Sequence, residues 1–104
     1  MSEITVVVRI KANPGQKQAL ERELRVSVPP THTEPGCLRF ALHRSTTEDG
    51  VFMLVERWTS KLALDEHLQK PYLTHLLAQL KELAESSEAS VYEMLAEGDV
   101  RKLL

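Results

Sequence analysis

Cysteine is almost missing from this chain of 104 residues, and Cys37 stands alone. With no partner for an internal disulfide, it fits a reducing compartment. Aromatic side chains make up only 5%, so the core must be built from aliphatic residues. The four glycines are scattered singly at Gly15, Gly36, Gly50 and Gly98, which excludes a Gly-rich phosphate loop. A surplus of positive charge is lacking too. Thirteen basic residues face fifteen acidic ones, for a net charge of −2, and a nucleic-acid binder needs a basic surface to meet phosphate. The longest apolar run near the start, Val6-Val7-Val8, is far too short for a signal sequence or a membrane span. A cytoplasmic protein with no membrane partner is therefore expected. His32, His43, His67 and His75 show no metal-ligand spacing and no cysteine pair accompanies them, so no metal is expected either.

What remains is an ordinary globular composition, 42% hydrophobic and 27% charged. The length suits one domain, 1–104, which would bury about 65% of its unfolded surface. Ile4, Val6, Val8 and Ile10 alternate with Thr5, Val7, Arg9 and Lys11, the period of a strand. Asn13, Pro14 and Gln16 read as a helix start. Leu20, Leu24 and Val28 mark the buried stripe of that helix, and Pro29-Pro30 is expected to stop it. Residues 37–44 read as a second strand, with Leu38, Phe40 and Leu42 on one face and Cys37, Arg39, Ala41 and His43 on the other. Asp49-Gly50 signals a hairpin into a third strand at 51–58.

Thr59-Ser60 opens another helix, with Leu64 and Leu68 on its stripe and Ala63 and His67 beside it. Lys70-Pro71 interrupts it. The period resumes through Leu73, Leu76, Leu77, Leu80, Leu83 and Ala84. A polar stretch, 85–90, precedes a short fourth strand at 91–95, and 96–104 reads as a tail. The order strand, helix, strand, strand, helix pair, strand is the ferredoxin-like split βαβ of an α+β fold, with a four-stranded antiparallel sheet. Strands one to three are apolar at both parities. A second face of that kind wants a cover, and a second copy of the sheet, in a two-fold homodimer, is the expected one.

Three stretches carry a family resemblance: Asn13-Pro14-Gly15; Glu34-Pro35-Gly36-Cys37-Leu38-Arg39-Phe40; and Glu56-Arg57-Trp58-Thr59-Ser60, followed by Ala63-Leu64, His67-Leu68 and Pro71. Together they resemble the antibiotic biosynthesis monooxygenase domain, of the dimeric α+β barrel superfamily, over about residues 4–95. That family includes oxygenases of quinols and aromatic phenols that use neither metal nor flavin, haem-degrading enzymes, and an isomerase of a phosphorylated sugar derivative. The haem-degrading branch uses an asparagine on the first strand and a histidine in the last helix. Those positions here read as Val8 and Leu77, with His75 two residues off, so haem is not expected. The resemblance implies no cofactor.

His67 is the candidate catalytic residue. A histidine at the edge of an apolar pocket can take a proton near neutral pH. Its alternative is a helix-face histidine bonded to backbone, and its replacement by alanine is expected to change stability little. Trp58 is a candidate wall for a planar substrate, or a core side chain sealing the end of the sheet. Glu56 shares that face and needs a partner: His67, a substrate hydroxyl or, preferred, Arg44 or Arg39. Arg44, in phase with Phe40 and Leu42, is a candidate oxyanion holder, and only one of His43 and Arg44 can face a given pocket. Tyr72 is a candidate for the pocket mouth. Cys37 is expected to pack, and His32 to sit in an exposed loop without a role. Two functions fit: a cofactor-independent oxygenase of a small electron-rich aromatic, or a non-oxidative isomerase or binding protein on the same scaffold.

Overall fold

β1 (Ile4–Ala12), α1 (Lys17–His32), β2 (Cys37–Arg44), β3 (Val51–Trp58), α2 (Lys61–His67), α3 (Pro71–Leu83) and β4 (Ala84–Tyr92) follow one another, with a short 3-10 turn at Val100–Lys102. The computed structural model describes residues 2–104. Its strands form one antiparallel sheet of order β2-β3-β1-β4. This is the ferredoxin-like α+β arrangement expected from the element order. Val6 and Ile10 of β1, Phe40 of β2, and Phe52, Leu54 and Trp58 of β3 form one core. Leu20 and Leu24 of α1 and Leu73, Leu76 and Leu80 of α3 cover them.

Several boundaries differ from the sequence reading. α1 starts at Lys17 because Gly15 has a φ of 79°, a left-handed conformation that no helical first turn admits. Asn13 is therefore not its cap. The Asn13 main-chain N–H donates to Leu83 O at 2.8 Å and its side-chain amide to Glu82 O at 3.2 Å, tying β1 to the end of α3. α1 also runs through Pro29-Pro30 to His32. The two prolines withhold N–H donors from the carbonyls of Arg25 and Val26, and both of those residues are exposed, where water can replace the donors. Thr31, fully buried, anchors the last turn by donating to Ser27 O at 2.7 Å. His32 thus ends a helix and is not in a loop, and its ring pairs with Phe40 O at 2.8 Å.

In α2 the buried residue is His67, whereas Leu68 is exposed. Leu77 of α3 is exposed as well, since the buried face narrows to Leu73, Leu76 and Leu80. β4 occupies 84–92 and not 91–95. Its residues are mostly exposed on both faces, so no apolar alternation marks it, and main-chain pairing to β1 defines it. No helix among the described residues is long and apolar enough to cross a membrane.

Candidate active site

The pleat of β3 turns Phe52, Leu54, Glu56 and Trp58 toward the helices. Across the ladder, Phe40 faces Glu56 and Cys37 faces Trp58. A register shift between Cys37 and Arg39 leaves Leu38 as the extra residue of a bulge. That reverses the phase expected for the start of β2: Cys37 joins the Phe40 side and Leu38 is exposed. Above this end of the sheet, the loop after α1 meets α2 with almost no gap. A Cβ on Gly36 would lie 2.4 Å from Ala63 Cβ, so only glycine admits this approach. Ser60 caps α2 by accepting from Ala63 N–H at 3.1 Å. One turn after Ala63, His67 arrives opposite Glu34.

Four polar side chains are sealed into this end. Glu34, Glu56 and His67 are buried, and Tyr72 is half-buried. Glu34 Oε2 lies 2.7 Å from His67 Nδ1 and accepts from Tyr72 OH at 2.5 Å. Glu56 Oε1 accepts from Trp58 Nε1–H at 2.9 Å. The imidazole of His67 packs against the Trp58 ring, centroids 4.5 Å apart, and meets Phe40 edge-on at 5.6 Å. Among the described residues no buried side-chain nitrogen or oxygen lacks a partner. The hydrogen bond of His67 runs through Nδ1, and since no buried side-chain nitrogen lacks a partner, the unbonded Nε2 keeps some contact with solvent although the residue is only 2% exposed.

Burial decides the electrostatics. It lowers the pKa of His67 below the usual imidazole value, against the Glu34 bond that raises it, so the ring is biased toward the neutral base. Burial lifts the Glu56 carboxyl to about 7, opposed by the Trp58 N–H and helped by the Glu34 charge. Burial and the Glu34 bond push the Tyr72 phenol up, which keeps it a donor. Burial also raises the Cys37 thiol, with the charges of Glu34 and Glu56 adding to it, so Cys37 packs as a thiol and not a thiolate.

The profile of the family described as "Antibiotic biosynthesis monooxygenase" matches residues 3–79. The chain belongs to that family. It is 35% identical over 82 residues to a Mycobacterium tuberculosis protein named "Putative monooxygenase Rv0793", covering 79% of this chain and 80% of that protein. The structure of Rv0793 matches with a TM-score of 0.87 at 32% identity, over 94% of this chain and 100% of that one. The crystal structure of PA3566 from Pseudomonas aeruginosa matches with a TM-score of 0.88 at 30% identity, over 92% and 97%. An uncharacterized Synechocystis protein, sll1783, is 30% identical over 92 residues, which are 88% of this chain. The match spans 63% of that relative's length.

In this member of the antibiotic biosynthesis monooxygenase family, four of the five residues singled out from sequence come together: Glu56, Trp58, His67 and Tyr72. Arg44 does not join them. It lies on the surface and makes a bidentate contact to Glu21 of α1 at 2.7 and 2.8 Å. There it lines a cleft of about 630 Å³ between α1 and β2 that also touches Phe40 and Phe52. Glu56 pairs with neither Arg44 nor Arg39, because Arg44 is held by Glu21 and Arg39 faces the opposite side of the sheet. Trp58 is fully buried, with His67 against its ring. The residue that sequence reasoning missed is Glu34. Its signal was present in Glu34-Pro35-Gly36, a carboxylate on the tight loop that enters β2, within one of the stretches that carried the resemblance.

Proposed function

We propose that the protein is a cofactor-independent monooxygenase that oxidises a small, electron-rich aromatic substrate of the quinol or phenol type with O₂. One observation carries this reading. A histidine biased toward its neutral form is walled by Trp58 and Phe40, and its Nε2 is the ring nitrogen left to reach outward. A phenol gives up its proton to such a base. The resulting anion is electron-rich enough to pass an electron to O₂ itself. One oxygen atom then enters the substrate and the other leaves as water, the substrate itself supplying the two hydrogens and all four electrons and ending as the quinone. The protein supplies the base, a dry apolar wall and a hydrogen-bond donor, and protonated Glu56 fills the last role. The α1–β2 cleft, which shares Phe40 with the His67 shell, receives the rest of the substrate, with Arg44 at its rim.

The same reading includes a homodimer. Val7, Val55 and Ala41 form a half-buried row across the sheet face opposite the core. The surface of 6894 Å² exceeds the roughly 5,900 Å² typical of a monomer of this mass. A second copy over that face would remove the excess. Light scattering at micromolar concentration should give twice 11.8 kDa, and a stable monomer would refute the pairing.

Oxygen uptake with a panel of quinols and anthrones tests the activity. Because His67 is enclosed, His67→Ala would leave a void and strand Glu34, so a small stability change is no longer the expectation. His67→Gln is the better probe. It should lower turnover per folded molecule by about 10²-fold. No oxygen uptake from any substrate of the panel, or full turnover by His67→Gln, would overturn the reading.

A further inference from the structure

We infer that Glu34 is the positioning residue of this site: it holds the imidazole of His67 with its proton on Nδ1 and thereby presents the Nε2 lone pair outward. Glu34 Oε2 receives two groups at once, Tyr72 OH at 2.5 Å and His67 Nδ1 at 2.7 Å. A phenol facing a carboxylate can only donate. Against an ionised carboxylate an unprotonated Nδ1 at that distance would set lone pair against lone pair, so the Glu34 carboxylate holds the hydrogen on Nδ1. The ring nitrogen that bears the proton is set by the bond the other nitrogen makes. Free histidine prefers the opposite tautomer, with the proton on Nε2. Without Glu34, then, the nitrogen reaching the surface would be a donor and not a base.

The arrangement is rigid for reasons independent of the pair. Glu34 N–H donates to Thr31 O at 3.0 Å, and Cys37 N–H to Glu34 O at 3.0 Å, so the loop is pinned on both sides. Thr59 N–H donates to Gly36 O at 2.9 Å and ties the same loop to the start of α2. The Gly36–Ala63 contact fixes how far α2 can shift. Tyr72 OH donates to the same carboxylate oxygen that faces Nδ1. Its bond occupies the carboxylate so that Glu34 cannot rotate away from His67. The catalytic meaning of this inference rests on His67 being the base of the proposed oxygenase; the tautomer does not.

The test is nitrogen-15 NMR of the imidazoles at a pH where His67 is neutral, with its signals assigned by their absence in His67→Gln. Wild type should show His67 protonated on Nδ1. Tyr72→Phe should keep that tautomer, because the Glu34 contact survives. Glu34→Leu combined with Tyr72→Phe removes both polar partners together, which spares the fold an orphaned group. In that variant the Nδ1–H signal should be lost and Nε2–H should dominate. Wild type with the proton on Nε2, or the double variant with Nδ1–H unchanged, would overturn the inference. Should the double variant not fold, wild type and Tyr72→Phe still decide it, since Nε2–H in either refutes it. The predicted tautomers together with no oxygen uptake would leave the positioning role standing and sink the oxygenase reading.

Discussion

The sheet has two edges, β2 and β4, and the chain treats them oppositely. β2 lies under α1, and His32 covers one of its carbonyls by pairing with Phe40 O at 2.8 Å. Beside it, three buried ionisable groups, Glu34, Glu56 and His67, all have partners. β4 carries Glu85, Ser86, Ser87, Glu88, Ala89 and Ser90, nearly all exposed, and is held by pairing with β1. The segment beyond it displays Leu95, Val100 and Leu104 at 67% exposure or more. The family match covers the first edge and every residue of the polar cluster, and it ends at 79, before β4 begins. Packing is therefore concentrated where chemistry is proposed. The β4 side is the less packed of the two, and the radius of gyration is 14.2 Å against about 13 Å for a compact chain of this length.

Removing the large side chain that β3 sets beside the packed edge should have the largest effect. Trp58→Ala deletes a fully buried ring and the donor to Glu56. A cost of about 3–5 kcal/mol is expected in urea unfolding. A loss below about 1 kcal/mol would mean that this edge is no better packed than β4.

Next comes a pH effect. The Glu56 pKa is raised in the folded state from 4.5 to about 7. The folded protein holds that proton more tightly than the unfolded chain does. Its stabilisation is full below pH 4.5 and is lost as pH rises toward about 7, by up to about 3 kcal/mol. His67 works in the other direction. Its pKa is lowered, so its contribution is present above 6.5 and is lost as pH falls through the folded value. Glu56→Gln keeps an acceptor for Trp58 and isolates the first effect. The variant should gain on wild type steadily between pH 4.5 and 7 and hold its lead above. A gap that does not vary with pH would show that Glu56 is not the strained group.

A smaller effect is expected at the loop that sets the site. Gly36→Ala places a methyl 2.4 Å from Ala63 Cβ. The overpacking should cost about 1–3 kcal/mol and move His67 away from Glu34. Ala63→Gly opens the room again, so the double variant should recover most of the packing loss, less about 1 kcal/mol for a glycine inside a helix. Simple additivity of the two losses would refute the contact.

The same contrast explains what could be read in advance. β2 and β3 matched their expected limits because alternation and a hairpin turn marked them, and both lie in the packed half. β4 was misplaced because an exposed strand carries no burial pattern. Pro29-Pro30 misled because the carbonyls they deprive face water, which depends on tertiary orientation and not on local propensity. In the site, Trp58, His67, Glu56 and Tyr72 were legible as polar or large residues next to apolar stripes. Arg44 was in phase with them but lies at the far end of β2, where Glu21 holds it. The Glu34–His67 pair spans 33 residues, and no periodicity reports a contact between a loop and a helix that far apart.

The smallest effect gives the closest test of the two-edge contrast. Val6 and Val91 are cross-strand partners, so their side chains leave the sheet on the same side. The helices leave Val6 only 4% exposed, while Val91 is 59% exposed. Two identical residues, adjacent on one ladder, therefore differ only in what lies above them. Val6→Ala should cost about 2 kcal/mol, from two methyl groups lost in a closed core. Val91→Ala should cost less than about 0.5 kcal/mol in a monomer, because water already touches the deleted atoms. Measured by urea unfolding at two protein concentrations, the pair tells more than either alone. A Val91 cost that stays small at both concentrations means the β4 side is bare in solution. A Val91 cost that grows with concentration toward the Val6 value means that another copy of the chain also reaches the helix side of β4, beyond the opposite face proposed for the dimer.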